Sequence, residues 1–537
     1  MRSGTAPETG RLGGLLRAAG GVIAALVAAV AVFGTAQSAA ASPGQHNRDS
    51  NGGTNAHGAR HWRFDDGTTT LAEVADGVGA DQLWRLGLNG SGVGVALIDT
   101  GVVPVDGLRS GNVVNGPDLS VESQAPVARY LDTEGHGTHL AGIIAGSGND
   151  FRGIAPGATL TSIKVGAFDG TVDVSQVIAA VDWVVAHRND DPAHPIRVLN
   201  LSYGTDGTQD YRLDPLVHAV ENAWRAGIVV VVAAGNGGST APSLANPAYD
   251  PYVIAVGASD LNGTASTSDD AVTDFSSRGN AQRRVDLVAP GRSIVSLRDP
   301  GSFADANNPS ARVGDRFFKG SGTSQSAAVV SGAVALLLDQ RGDLSPDQVK
   351  AALTRSANRL RASDAASQGA GELDLAGALR QSVGGARQGW TPSSGRGSLE
   401  QARGSAHIAA GDAVLAGEND LFGPFDTAAW ATASSNHTAW VGGTWMGRQL
   451  TGTGWTGSSW TARTWSGLTW SGLTWSGLTW SGLTWSGLTW SGLTWSGLTW
   501  SGLTWSGLTW SGLTWSGITW SDATWAGLTW SDSTWGG

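Results

Sequence analysis

GVALIDTG, Gly94–Gly101, is an apolar run that ends on a carboxylate. An unbroken run of this kind fits a strand buried on both faces of a parallel sheet, where alternation is lost because both faces are covered. Burying the charge of Asp99 at its end would cost several kcal/mol unless partners are waiting. Similar runs recur downstream as TLTSIKV (159–165), IRVLNLS (196–202), IVVVVAA (228–234) and YVIAVGA (252–258). Between them, VSQVIAAVDWVVAH (174–187) and DPLVHAVENAWRA (214–226) carry apolar residues at helical spacing. Ser345, Pro346 and Gln348 supply a capping box with proline at the first helical position. Strands alternating with helices predict an α/β fold, a mostly parallel sheet covered by helices, over residues 71–381.

Working outward, the chain of 537 residues has room for a large core and more than one structural unit. A net charge of −11 with no Lys/Arg stripe excludes the electrostatic footprint of a nucleic-acid binder. The absence of cysteine removes disulfides, thiolate metal sites and thiol nucleophiles, and leaves the redox compartment undecided. At the N-terminus, Arg2, Arg11 and Arg17 precede an uncharged apolar run from Ala18 to Phe33 and then GTAQSAAAS. That order predicts a secretory signal peptide over residues 1–41, cleaved after Ala41, in preference to an uncleaved anchor, because Ala39 and Ala41 satisfy the A-x-A rule. Residues 42–70 are polar and read as a flexible lead-in or short pro-segment. Residues 382–450, rich in Gly, Ser and Ala with few periodic signals, read as a linker or small accessory region.

Three further stretches carry candidate chemistry. In EGHGTHLAGIIAG (134–146), Gly135 and Gly137 flank His136 and allow close backbone approach at the start of a helix, expected to be exposed there. His139, one turn on, reads as structural. In GSGTSQSAAVVSGAVALLL (320–338), Ser324 opens a helix apolar enough to be buried, so its hydroxyl is fixed and the first unpaired backbone N–H groups are available to an oxyanion. Ser324 taken alone reads as a helix cap ahead of a nucleophile. VVVVAAGNGGS (229–239) ends a buried strand on Asn236, either an amide donor or a left-handed turn residue.

Taken together, ALIDTG, GHGTHLAG and GTSQSAA, in that order, resemble the three signature segments of subtilisin-like serine proteases over residues 76–380. The order Asp, His, Ser separates this family from α/β-hydrolases and chymotrypsin-like enzymes, which arrange the same side chains differently. The resemblance implies a subtilisin-like three-layer sandwich and a secreted endopeptidase acting on polypeptides. It makes Asp99 the orienting carboxylate, His136 the general base, Ser324 the nucleophile and Asn236 the side-chain donor of the oxyanion hole. It also makes Ser202, Tyr203, Gly204 and Ala233, Ala234, Gly235 the backbone segments flanking the primary specificity pocket, the first pairing with extended substrate as an added strand. No cofactor is required for the chemistry; family members often bind structural calcium, although no carboxylate-rich loop of recognisable spacing stands out. Where the family usually shows Met after the nucleophile this chain has Gln325, which predicts resistance to peroxide. The lead-in is also shorter and more polar than the family's compact pro-domain.

From Trp455 to Trp535, Trp recurs every five residues, mostly as SGLTW. Period five suits neither a simple helix nor a simple strand. The pattern faintly resembles pentapeptide repeats, in which each pentad forms one side of a square coil; the alternative over 451–537 is an unstructured low-complexity tail. A nearly uncharged aromatic ladder suits attachment to cell-wall glycan or an envelope surface, retaining the protein at the cell surface, or self-association. A different class of function follows if the repeats do the work: a surface adhesion or structural protein whose protease unit is degenerate or processes only itself.

Overall fold

The computed structural model describes residues 67–124, 128–264, 267–410, 413–448 and 450, with the backbone of short strands between 469 and 536. The signal peptide and most of the lead-in lie outside the described residues. The apolar runs form the strands β1 (Gly94–Asp99), β3 (Thr159–Lys164), β4 (Ile196–Leu201), β5 (Val229–Ala233) and β6 (Ile254–Asp260); β2 (Val113–Asp118), outside those runs, joins them, with β7 (Ala271–Val272) and β8 (Leu287–Pro290) following. Their order is β2-β3-β1-β4-β5-β6, with β6 also pairing β7 and β8. Every pairing is parallel except that of β6 with β7. Consecutive residues Val95, Ala96, Leu97 and Ile98 are all buried. Since successive strand side chains point to opposite faces, both faces of the sheet are covered.

The helices that cover it are α1 (His136–Ala145), α2 (Val174–His187), α3 (Pro215–Arg225), α4 (Thr323–Gln340) and α5 (Pro346–Ser356). Helix α4 packs on α1 and on β4, β5 and β6, whereas α2 and α3 pack on one another. Local chemistry sets their starts: Asp173 and Ser345 each complete a capping box with Gln176 and Gln348, and Asp214 caps α3 ahead of Pro215. The strand order reverses between β1 and β4, and a parallel sheet opens its ligand crevice at the carboxyl ends of the strands at such a switch point. Asp99 ends β1 there.

Beyond residue 386, Trp430, Ser434, Trp440 and Trp445 pack against the α/β unit. Trp430 and Trp445 each donate an indole N–H to Asp182 Oδ2 on α2, at 2.7 and 2.9 Å, and Ser434 Oγ donates to its Oδ1 at 2.5 Å. Trp440 Nε1 donates to the Ala179 carbonyl at 2.7 Å, and Asn222 Nδ2 on α3 donates to Ser434 Oγ at 2.8 Å. These indoles supply large apolar area together with a donor aimed at the few polar groups of the helix they cover. Burial pushes the Asp182 carboxyl up to about 6, against the pull of its three donors.

In the repeat region, three-residue strands recur every five residues from Thr469–Ser471 to Thr534–Gly536. Those from Thr469 to Ser516 each pair in parallel with the strand twenty residues on, so Trp470, Trp490, Trp510 and Trp530 share one register column. Four separate sheets result.

Candidate active site

The site grows from the end of β1. Asp99 Oδ1 accepts the Thr100 backbone N–H at 2.8 Å and lies 2.8 Å from His136 Nδ1, with both residues buried. These are the partners that the buried charge requires. His136 opens α1 but is not exposed as the sequence suggested: its relative accessibility is 1 %. Segment 302–304 packs on the loop just before it, since Phe303 N and Ala304 N donate to the carbonyls of Thr133 and Glu134, both at 2.9 Å. The glycines beside it act as expected. Gly135 has φ 108°, and a Cβ on Gly137 would collide with the Gly101 carbonyl of the turn after β1.

A buried hub that the sequence reading missed holds this corner. Asp132 accepts from Gly135 N, Thr138 N and Thr100 Oγ1, each at 2.7 Å, while Thr100 Oγ1 accepts from Gly137 N at 2.9 Å. Thr100, next to Asp99, is thus bonded directly to one carboxylate, and Gly137, next to His136, is linked to it through the Thr100 hydroxyl. Lys164, in register with Asp99 on β3, ties the same corner to the Thr100 carbonyl at 3.1 Å and to Glu122 at 2.8 Å. A lysine ending a strand of the parallel sheet was the available signal.

Electrostatics favour a basic imidazole. Burial works to lower the His136 pKa, but the charge and hydrogen bond of Asp99, with Glu134 and Asp132 behind it, outweigh this and hold it above the ordinary histidine value. His139 behaves oppositely: burial drives it down to about 3, and its Nε2 lies 3.2 and 3.1 Å from the carbonyls of Ile294 and Phe318, as a neutral structural histidine should.

Ser324 is the second residue of α4, behind Gly322, and is buried. Its carbonyl accepts from Ser202 Oγ at 3.2 Å; Asn200 Nδ2 donates to that hydroxyl at 3.0 Å and Ser331 Oγ donates to Asn200 Oδ1 at 2.9 Å. This buried polar chain locks the first turn of α4 to the end of β4. Asn236 Oδ1 accepts from Thr323 N at 2.9 Å and Thr323 Oγ1 at 3.1 Å, which orients the amide beside the residue preceding Ser324. The left-handed conformation at this turn belongs to Gly235, φ 102°, and not to Asn236.

The two segments expected to flank the pocket are brought together by a third. Ala245 N donates to the Ala234 carbonyl at 3.0 Å, and Asn246 exchanges backbone hydrogen bonds with Thr205 at 2.9 and 3.0 Å. A Cβ on Gly204 would lie 2.6 Å from the Ala245 Cβ, and one on Gly235 3.3 Å from it. Ala245 therefore sits between Ser202–Gly204 and Ala233–Gly235, a placement no local pattern in the sequence signals.

Comparison with known proteins matches residues 90–372 to the Subtilase family. The chain belongs to the subtilase family. It is 41% identical over 296 residues to serine protease AprX of Bacillus subtilis, covering 53% of this chain and 66% of that protein. It is 32% identical over 284 residues to alkaline serine exoprotease A of Vibrio alginolyticus, covering 53% of this chain and 45% of that protein. Subtilisin DY of Bacillus licheniformis is 32% identical over 286 residues, 52% of this chain and 89% of that protein. The chain thus spans less than two thirds of the length of the first two relatives. Subtilase membership accounts for the parallel-rich sheet and ends short of the 386–450 segment and the repeats. Among the described residues, no helix is long and apolar enough to cross a membrane, and no group of three or more His, Cys, Asp or Glu is placed to hold a metal ion.

Proposed function

We propose that this subtilase is a secreted serine endopeptidase that cleaves polypeptides through Asp99, His136 and Ser324. The observation that carries the reading is the buried 2.8 Å contact of His136 Nδ1 with Asp99 Oδ1. That contact fixes the tautomer whose Nε2 is free of a proton and able to accept one. Ser324 loses its proton to Nε2 as Oγ attacks the scissile carbonyl, because a serine hydroxyl is a weak nucleophile without an adjacent base. Asp99 stabilises the imidazolium that forms. The oxyanion is stabilised by the Ser324 backbone N–H and the Asn236 amide; His136 then hands its proton to the leaving amine, and water hydrolyses the acyl-enzyme by the same route. Extended peptides bind along Ser202–Gly204 and place a side chain between that segment and Ala233–Gly235. Casein cleavage, blocked by a serine-directed inhibitor and absent in Ser324→Ala, tests the reading; a fully active Ser324→Ala chain overturns it.

We also propose that the leader directs export and that the repeats build a four-sided parallel β-coil which retains the enzyme at the cell envelope. The twenty-residue register supports the coil, four pentads to a turn. Sedimentation of the full chain, but not of a chain ending at residue 450, with envelope glycan tests retention. Envelope binding by a chain with no hydrolysis favours the adhesion reading instead.

A further inference from the structure

We infer that residues 398–405, outside the region matched by the family, buttress the substrate-binding strand, with Arg403 as a positioning residue. The inference rests on the reading of Ser202–Gly204 as the segment that pairs with substrate. Beyond β4 this segment has left the sheet ladder, so something else must hold it extended. On one side Asn246 does so through the backbone of Thr205. On the other, Thr205 Oγ1 donates to the Ala402 carbonyl at 2.6 Å, and Asn246 Nδ2 reaches the same carbonyl at 3.2 Å. Immediately downstream, Asp206 accepts from Ser405 N and Ser405 Oγ, both at 2.6 Å, and a Cβ on Gly207 would lie 2.6 Å from the Gln401 carbonyl. Two backbones run in direct contact, one of them the continuation of the substrate strand.

Arg403 anchors this contact from below. Its side chain is fully buried; Nε donates to Asp173 at 2.6 Å, Nη1 to the Gly417 carbonyl at 3.1 Å and Nη2 to the Asn419 carbonyl at 2.8 Å. Asp173, equally buried, is the N-cap of α2 and accepts from Ser175 N at 3.0 Å. The Tyr203 ring, central to the substrate strand, is buried close enough for its phenol to feel the charges of Asp173 and Arg403. A guanidinium offers donors in several fixed directions, which an ammonium on a flexible stem does not reproduce. Holding the strand in its binding conformation before substrate arrives removes an ordering cost from binding, so loss of the buttress falls on KM for substrates long enough to pair.

The test uses the full chain and two chromogenic substrates with one leaving group, one offering a single residue and the other four residues before the scissile bond. Arg403→Lys and Thr205→Val are expected to raise KM for the long substrate about tenfold, with kcat within about twofold and the short substrate unchanged. A lower melting temperature with KM unchanged for both substrates would make the contact merely structural and overturn the proposal. An equal rise in KM for both substrates would also overturn it, since the effect would then lie in the pocket. Should Arg403→Lys fail to fold, Thr205→Val and Ser405→Ala decide by the same readout. If the unsubstituted chain shows no Ser324-dependent cleavage of either substrate, the proteolytic reading itself fails, an outcome separate from a cleaving enzyme whose KM ignores these substitutions.

Discussion

The sheet from β1 to β6 and the segment 386–450 are held by different physics. The core of the sheet is stabilised by continuous burial: Val95–Ile98, Val198, Leu199, Val229–Val232 and Ile254–Val256 lie at zero or near-zero exposure. The 386–450 segment has no long apolar run. Its largest anchors are Trp430, Trp440, Trp445 and Arg403, whose polar atoms meet buried acceptors on α2 and at its N-terminus. A region bound by many interchangeable contacts tolerates change at most positions, whereas one bound by a handful of polar-tipped anchors does not. The candidate site draws on both, because Asp99 ends a strand of the sheet while Thr205, just beyond β4, donates to the Ala402 carbonyl of the segment.

That contrast can be broken or sharpened by substitution. The largest effect is expected from Ser324→Ala at the edge of the α/β unit: kcat falls by as much as ~10⁶, a size known from subtilisin, a member of the same family, with the melting temperature nearly unchanged. Asn236→Ala follows, at about 10²–10³ in kcat, again a magnitude measured in subtilisin, and with KM little altered. In the segment the pattern should invert. Trp430→Ala removes a buried indole and leaves Asp182 short of a donor, costing about 3–5 kcal/mol in denaturant unfolding while the folded fraction keeps its kcat. If Trp430→Ala instead lowers kcat with stability intact, the division between the two regions is wrong.

Protonation offers a finer test. The rise in kcat/KM with pH reports deprotonation of His136, and because its folded pKa lies above the ordinary value, that limb is expected on the alkaline side of 6.5. The same shift adds stability below the unfolded pKa that is lost as pH climbs through the folded one. Asp182 is a carboxyl raised to about 6, so its favourable contribution is present below the unfolded value near 3.8 and is lost as pH rises from there through 6. Asp182→Asn should remove that part of the stability profile and leave the pH–rate limb in place; a shifted limb would show the segment coupled to the base. The smallest effect concerns Gln325: Gln325→Met is expected to restore sensitivity to peroxide, read as faster loss of activity on oxidation, with little change before it.

The α/β unit was legible because its signals are local. Periodicity placed α2 over its full length, capping chemistry placed the start of α5, and the apolar runs placed β1 and β3–β6. The candidate residues were legible for the same reason, each embedded in a motif with its own glycines. The hub of Asp132, Thr100 and Lys164 was not, since it depends on which loop ends face one another across the sheet. Segment 386–450 was not, since four anchors spread over dozens of residues leave no period to find, and their partners on α2 are more than two hundred residues away.

The sequence alone determined which strands are buried on both faces, where the helices begin, and the order of the acid, imidazole and hydroxyl motifs, because burial period, capping and turn geometry act within a few residues. Only the tertiary structure decided that His136 is buried against Asp99, that Ala245 lies between Ser202–Gly204 and Ala233–Gly235, and that Arg403 reaches Asp173 at the start of α2. Those outcomes are contacts between distant parts of the chain, and they are set by how packed elements meet in space.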